Sequence, residues 1–120
     1  MALHWERLCR NAVSGNLLLD STWGITSRWW GTVIENNEKK AIELDVVAES
    51  TDKRKILIGE CKWTEGENAM LLLHELETKA KSLPFVKGKE IVLALFLKHP
   101  SLDGITSHVF LPQDVVNDFQ

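Results

Sequence analysis

Apolar and polar residues follow a different period in each part of the chain, and each change of period predicts an element of structure. Residues 2–13 carry apolar side chains at helical spacing, and the Ser-Gly-Asn segment at residues 14–16 is typical of a helix end. Residues 17–20 either prolong this helix or connect it to the next element. The apolar run of residues 29–34 predicts a first strand, and the polar residues 35–40 predict the turn after it.

A hairpin of two further strands is predicted in the middle of the chain. Its strands belong to two runs rich in Ile, Leu and Val, and the polar residues 50–54 separate them. A turn centred between positions 52 and 53 places Asp45 opposite Glu60, and Glu43 opposite Lys62. Directly opposed residues hold their Cβ atoms about 5 Å apart, so we expect these four side chains to be neighbours.

Alternation along the hairpin places these four polar residues on one face of the sheet, because successive side chains of a strand point to opposite faces. The same face continues with Val47, Ile56 and Ile58. The opposite face is expected to carry Leu44, Val46, Leu57 and Cys61. Strands that are apolar on both faces indicate a sheet that is covered on both sides.

The second half of the chain predicts a crossover helix and three further elements. Thr64 and Glu67 have the spacing of a capping box at a helix start, and Pro84 ends the helix at or before Leu83. The remaining elements are a buried strand parallel to the third strand, a short fifth strand and a final helix, at residues 90–97, 108–111 and 112–116. The predicted order is αβββαββα, an α/β fold with a central mixed sheet flanked by helices.

Composition places the chain among ordinary globular proteins. A length of 120 residues with 44% hydrophobic and 26% charged residues predicts a single domain over residues 1–120. The net charge of -3 argues against a tight autonomous DNA binder, because such proteins usually carry a basic field. It leaves a nuclease open, since cations bound at a carboxylate site offset negative charge.

The two cysteines, Cys9 and Cys61, have no CxxC spacing and no nearby histidine pair, so a zinc site or a disulfide framework is not expected. The sequence has no signal peptide and no apolar run of about 18 residues, so we expect a soluble cytoplasmic protein without a membrane segment. The first helix begins almost at residue 1 without a capping residue, which predicts that the chain was cut from a longer polypeptide.

The candidate chemistry comes from the opposed carboxylates of Asp45 and Glu60. In a partly apolar setting they repel each other, and neither ionises easily unless a cation or a shared proton intervenes. A divalent metal beside Lys62 suggests a phosphodiesterase centre. The simpler interpretation is a salt bridge at the end of the strands, worth about 0 to 1 kcal/mol if exposed.

These residues resemble the PD-(D/E)xK nuclease superfamily. Its pattern is a helix with a glutamate, here Glu6, then a meander whose second strand holds Asp45 and whose third strand carries Glu60 and Lys62 before a crossover helix. The segments at residues 29–30, 43–45 and 59–63 look more specifically like the nuclease-like domain at the C-terminal end of archaeal-type P-loop ATPases. The resemblance covers residues 3 to about 98, and Leu44 stands where the superfamily name has proline.

The resemblance implies a restriction endonuclease-like αβββαβ core that hydrolyses DNA. It implies that Asp45 and Glu60, with the backbone carbonyl of Cys61, hold Mg²⁺ or Mn²⁺. Glu6 reaches the ion directly or through water, and Lys62 orients the attacking water. The expected partners are DNA, a fused or associated ATPase domain and a second copy in a homodimer. The alternatives are a catalytically inactive DNA-docking or protein-interaction module of the same fold, and, less favoured, RNA as the substrate.

Several neighbouring residues have two interpretations. Glu43 is either a third metal ligand or the partner of Lys62, which we favour. Lys79 either projects towards the phosphate or is a solvated helix residue, which we favour. Trp29, Trp30 and Trp63 either stack on unpaired bases or pack, which we favour, and at most one of the adjacent pair can line the site. Arg7, Arg10 and Arg28 form either a basic rim near Glu6 or a solvated face.

Overall fold

The computed structural model describes residues 2–119. The helices in this part of the chain are α1 (Ala2–Val13), α2 (Ala69–Lys81) and α3 (Pro112–Val116). The strands are β1 (Leu17–Leu18), β2 (Ser21–Thr22), β3 (Ser27–Glu35), β4 (Glu38–Glu49), β5 (Lys55–Lys62), β6 (Glu90–Leu97) and β7 (Val109–Phe110). Among these residues no helix has the length and apolarity needed to cross a membrane.

The central sheet contains five strands in the order β3-β4-β5-β6-β7. The first three strands form an antiparallel meander, whereas β5, β6 and β7 run parallel. Helix α2 makes the crossover that a parallel β5 and β6 require. The predicted α/β class with a mixed sheet is therefore confirmed, as is the parallel pairing of the strand at Glu90–Leu97.

Helices cover both faces of the sheet, as its apolar strands predict. One core cluster joins α1 and α3 to the sheet through Trp5, Cys9, Val13 and Val115. The other cluster joins the buried stripe of α2 to the opposite face. The Trp5 indole Nε1 donates a hydrogen bond of 3.1 Å to the Phe96 carbonyl, which fixes α1 on β6.

The β4–β5 hairpin has the predicted register, but only over part of its length. Val47 pairs with Ile58 and Ala48 with Leu57, as a turn centred between positions 52 and 53 requires. The pairing extends to Val46 and Gly59 and does not include Asp45 and Glu60. We call this opening between β4 and β5 the fork.

One expectation about the two faces of the sheet is wrong, because β4 pairs irregularly with β3. The register of β3 against β4 shifts between Ser27 and Trp29. Leu44 therefore lies in the α2-side cluster with Ile58, although regular alternation assigned it to the opposite face. A strand irregularity re-aims the side chains beyond it.

Two connections between elements also differ from the prediction. The turn after β3 contains only Asn36 and Asn37, both at positive φ, and the polar residues after them belong to β4. Residues 17–20 neither prolong α1 nor form a plain connection, because β1 and β2 pair as a small hairpin.

Helix α2 begins after Asn68, whose side chain accepts a hydrogen bond from the Leu71 amide, so the predicted cap at Thr64 is wrong. Its end at Lys81 agrees with the prediction.

Candidate active site

Side chains from four elements converge on one depression of about 370 Å³ at the fork. We call it the acidic depression. It is lined by Glu6 from α1, by Lys40, Ala41, Ile42, Glu43 and Asp45 from β4, by Glu60, Cys61 and Lys62 from β5, and by Lys79 from α2. The structure therefore brings together the four residues expected to be catalytic.

Asp45 holds the two sides of the fork together. Its Oδ2 accepts a 2.9 Å hydrogen bond from the Cys61 amide, which takes the place of a backbone partner. Its own carbonyl accepts a 2.9 Å hydrogen bond from Nη1 of Arg10 on α1. Because main chain and side chain are both bound, the carboxylate has a fixed position at the mouth of the fork.

Glu6 is buried on α1, with 8% of its surface exposed, and contacts Asp45. Burial raises the pKa of Glu6 to about 7, and the hydrogen bond with Asp45 and the Asp45 charge add to that increase. Arg10 and Arg28 oppose it. The two carboxyl groups thus favour one shared proton or a nearby cation at neutral pH.

Glu60 lies between two lysines. Its Oε1 is 3.8 Å from Nζ of Lys62 and 3.9 Å from Nζ of Lys79. Burial raises the pKa of Glu60, whereas the charges of Lys79 and Lys62 lower it. The side chain is only 16% exposed, so these ion pairs lie in a partly desolvated setting where charge interactions are stronger than in water.

The oxygen atoms at the fork are of the types that hard divalent cations bind. Carboxylates and backbone carbonyls are preferred by Mg²⁺, which usually keeps several waters. Within residues 2–119, no three His, Cys, Asp or Glu side chains are grouped closely enough to hold an ion. An ion here would therefore be held directly by the contacting pair Glu6 and Asp45, with the Cys61 carbonyl and water, and water would link it to Glu60.

Two accessory residues differ from the favoured interpretation. Glu43 does not pair with Lys62, since its Oε1 binds Nη2 of Arg28 at 2.8 Å on the neighbouring strand β3. The reason is that β4 leaves β5 before it reaches this position. Lys79 is not merely a solvated helix residue, because α2 directs it to Glu60.

The three tryptophans near the motif have different environments. Trp29 packs edge-on against Phe85, with ring centroids 5.3 Å apart, and Trp63 packs against Trp5 at 5.0 Å. Trp30 is 69% exposed. Packing therefore describes the first two and does not describe Trp30.

The Cys61 thiol faces the core rather than the acidic depression. Both cysteines are free and buried. The hydrogen bond with Cys9 and burial raise the pKa of the Cys61 thiol. Only the main chain of Cys61 is therefore available to the fork.

From the sequence, Arg10 was expected only in a basic rim near Glu6 or on a solvated face, and Lys40 had no expected role. Arg10 lies four residues after Glu6 on α1, and this spacing puts both on one side of the helix. That signal could have linked Arg10 to the site. Lys40 was assigned to a turn, and its place in the acidic depression follows from the early start of β4.

Comparison with known proteins gives one match. Residues 1–81 match the model of the DUF234 family, described as archaeal and bacterial proteins of unknown function. This segment includes Glu6, Asp45, Glu60, Lys62 and Lys79. No curated protein and no solved structure matches the chain.

Proposed function

The chain belongs to the DUF234 family, and we propose that it is a metal-dependent nuclease domain that hydrolyses phosphodiester bonds in DNA. The observation that carries this proposal is the acidic depression, where Glu6, Asp45, Glu60 and Lys62 meet at a fork in the sheet. Carboxylates next to a lysine suit phosphoryl transfer, in which the protein mainly positions groups and offsets charge.

The proposed fold is the restriction endonuclease-like core of the PD-(D/E)xK superfamily. The support is the element order, in which α1 precedes the β3–β5 meander and α2 crosses to the parallel strand β6. The positions of Asp45 on the second strand of the meander, and of Glu60 and Lys62 on the third, are further support for this proposal.

In this proposal, Glu6 and Asp45, with the Cys61 carbonyl and water, would hold Mg²⁺ or Mn²⁺, and Glu60 would reach the ion through water. When bound, the ion offsets charge on the phosphate and activates water for attack. Asp45 needs little reorganisation because the Cys61 amide and Arg10 already fix it.

Lys62 and Lys79 supply positive charge on the β5 and α2 sides of the acidic depression. Lys62 orients the attacking water and stabilises the charge that develops on the phosphate oxygens. Within the depression, the two lysines also offset part of the net negative charge of the chain.

The proposed setting is the effector part of a P-loop ATPase, fused or associated. The sequence contains no glycine-rich phosphate loop, so ATP hydrolysis would belong to another domain.

The test is cleavage of labelled single-stranded and duplex DNA in Mg²⁺ or Mn²⁺ by the purified chain. We expect Asp45→Asn and Glu60→Gln to lower the rate by about 100-fold or more, since each removes a negative charge from the ion's surroundings while keeping side-chain size. Calorimetry should show divalent-ion binding that both variants weaken.

The matched control is Glu90→Gln, at the opposite end of the sheet, where Glu90 pairs with Lys55 at 3.7 Å. It should cleave like the unmodified chain. If the unmodified chain neither cleaves DNA nor binds the ion, the nuclease proposal is wrong.

The second candidate is a catalytically inactive DNA-docking or protein-interaction module of the same fold. It is favoured by the absence, within residues 2–119, of three grouped metal-ligating side chains. DNA binding without cleavage or ion binding would support this candidate.

A further inference from the structure

We propose that Trp30 and Arg28 on β3 form a stacking site for an unpaired nucleobase, and that the preferred substrate is therefore single-stranded DNA. This inference rests on the proposed function, because it extends the acidic depression by a subsite for the same nucleic acid. We call the depression around Trp30 the stacking site. Its lining residues are Arg28, Trp30, Gly31, Thr32, Ala41, Ile42 and Glu43, and its volume is about 490 Å³.

The first support is the unusual exposure of one indole. Trp5 and Trp23 are 4% and 0% exposed, and Trp29 and Trp63 pack against other aromatic rings. Trp30 is 69% exposed on the edge strand of the sheet. A ring in this position can present its face to a base, and base–aromatic stacking tolerates any sequence.

The second support is the arrangement of charge around the ring. The Arg28 guanidinium lies 5.5 Å from the Trp30 ring centroid, and its Nη2 is 2.8 Å from Oε1 of Glu43. Arg28 is thus held in place by two neighbours, and a guanidinium can stack on a base or contact a phosphate.

The third support is continuity with the acidic depression. Trp30 on β3 pairs with Glu43 on β4, and Thr32, two residues further along β3, pairs with Ala41. Ala41, Ile42 and Glu43 line both depressions. A strand whose phosphate lies among the carboxylates would therefore bring a neighbouring base to Trp30. The small side chains of Thr32 and Ala41 leave space beside the indole.

These features favour unpaired DNA over a duplex. In a duplex both faces of a base are covered by its neighbours, so stacking on a protein ring requires the base to leave the helix. A single strand presents its bases without that cost.

The experiment measures binding without cleavage. Fluorescence anisotropy in EDTA compares labelled oligothymidine with a duplex of the same length, using the full chain. We expect Trp30→Ala to weaken single-strand binding about tenfold while duplex binding is unchanged, as for loss of one stacked base. Trp30→Phe should retain most of the affinity, because it keeps an aromatic face. Quenching of tryptophan fluorescence by the oligonucleotide should decrease in Trp30→Ala.

The matched control is Ile34→Ala, which removes another exposed apolar side chain of β3, 74% exposed. It should bind both probes like the unmodified chain. Equal single-strand affinity in Trp30→Ala and the unmodified chain, or equal losses for both probes, overturns the stacking site.

The two proposals can fail separately. Loss of single-strand binding in Trp30→Ala supports the stacking site even if no variant cleaves DNA in Mn²⁺. Cleavage that depends on Glu60 while Trp30→Ala binds normally retains the nuclease and refutes the stacking site.

Discussion

Asp45 illustrates how one residue can replace a regular backbone contact. Beyond Val46 and Gly59 the β4–β5 pairing stops, and the Asp45 carboxylate accepts the Cys61 amide hydrogen bond. A buried amide left without a partner would be costly. The side chain therefore lets the fork open while the amide remains bound.

At the same scale, Glu6 predicts how stability depends on pH. Its pKa is raised to about 7, so the folded state binds this proton more tightly than the unfolded state does. The resulting stability is present below the unfolded value and is lost as pH rises towards 7. Without divalent ions, Glu6→Gln should gain stability relative to the unmodified chain between pH 5 and pH 8, by on the order of 2 to 3 kcal/mol. Urea unfolding at both pH values measures this change.

A control with the opposite sign is Glu77→Gln. The hydrogen bond with Lys81 lowers the pKa of Glu77, so its contribution is present at higher pH and is lost as pH falls. This variant should lose stability relative to the unmodified chain as pH rises towards 4.5, by a small amount because the pair is exposed, and should change little between pH 5 and pH 8. A Glu6→Gln difference that does not change with pH would contradict the burial and Asp45 contact described for Glu6.

Sequence alone identified most of the charged residues of the acidic depression, but not Lys40 and not all the contacts of the others. Asp45, Glu60 and Lys62 were predictable because strand register and alternation place them near one another. The ion pair of Lys79 depends on how α2 docks across the sheet, and that of Glu43 depends on the irregular β3 pairing. Neither is a local property of the sequence.

At the scale of elements, turn chemistry decided which predictions succeeded. The β4–β5 register follows from a turn that contains Lys53 at positive φ and the Asp52 side chain bonded to the Arg54 amide. The β3–β4 turn was predicted to be too long, because Asn36 and Asn37 lie within a run of six polar residues that does not show where the turn begins and ends. Two central residues at positive φ make a tight hairpin turn for which asparagine is well suited.

The start of α2 can be tested by comparing two candidate caps. Asn68→Ala removes the side chain that accepts the Leu71 amide at 2.9 Å, and we expect it to cost about 1 kcal/mol. Thr64→Ala removes a hydroxyl that bonds Glu67 in the preceding exposed loop, so we expect a change within about 0.5 kcal/mol. Thermal or urea unfolding of both variants measures the difference.

If Thr64→Ala is the more damaging substitution, the helix begins earlier than Ala69. The sequence pattern favoured that earlier start because threonine and glutamate have capping-box spacing. Asn68 is also a good cap residue, and the choice between them is made by the loop at residues 101–103, where the Asp103 carboxylate accepts the Met70 amide at 2.9 Å.

For the whole molecule, the fold class was predictable because it depends on the order and hydrophobicity of elements. The run at Glu90–Leu97 required cover on both faces and a parallel neighbour, and the structure has both. The small β1–β2 hairpin could not be predicted, since two-residue strands lack a period. The path of the chain was therefore easier to predict than its local detail.

Charge at the molecular scale predicts how salt affects DNA binding. The chain carries a net charge of -3, and Lys40, Lys62 and Lys79 are gathered at the acidic depression. We expect few phosphate contacts and a slope of log affinity against log salt of about -2 to -3, because each single-strand contact contributes about -0.7. Anisotropy titrations of oligothymidine at several salt concentrations give this slope. A slope of about -6 or steeper would contradict a small contact area.

The hydrogen bond from Trp5 to the Phe96 carbonyl spans 91 positions of the chain. Glu6, adjacent to Trp5, therefore takes its place beside Asp45 when the first helix docks against β6, a strand far along the chain. Contacts so distant in sequence form late in folding. A half-folded chain in which α1 had not yet docked would thus lack a complete set of acidic groups, so any cleavage would wait for that docking.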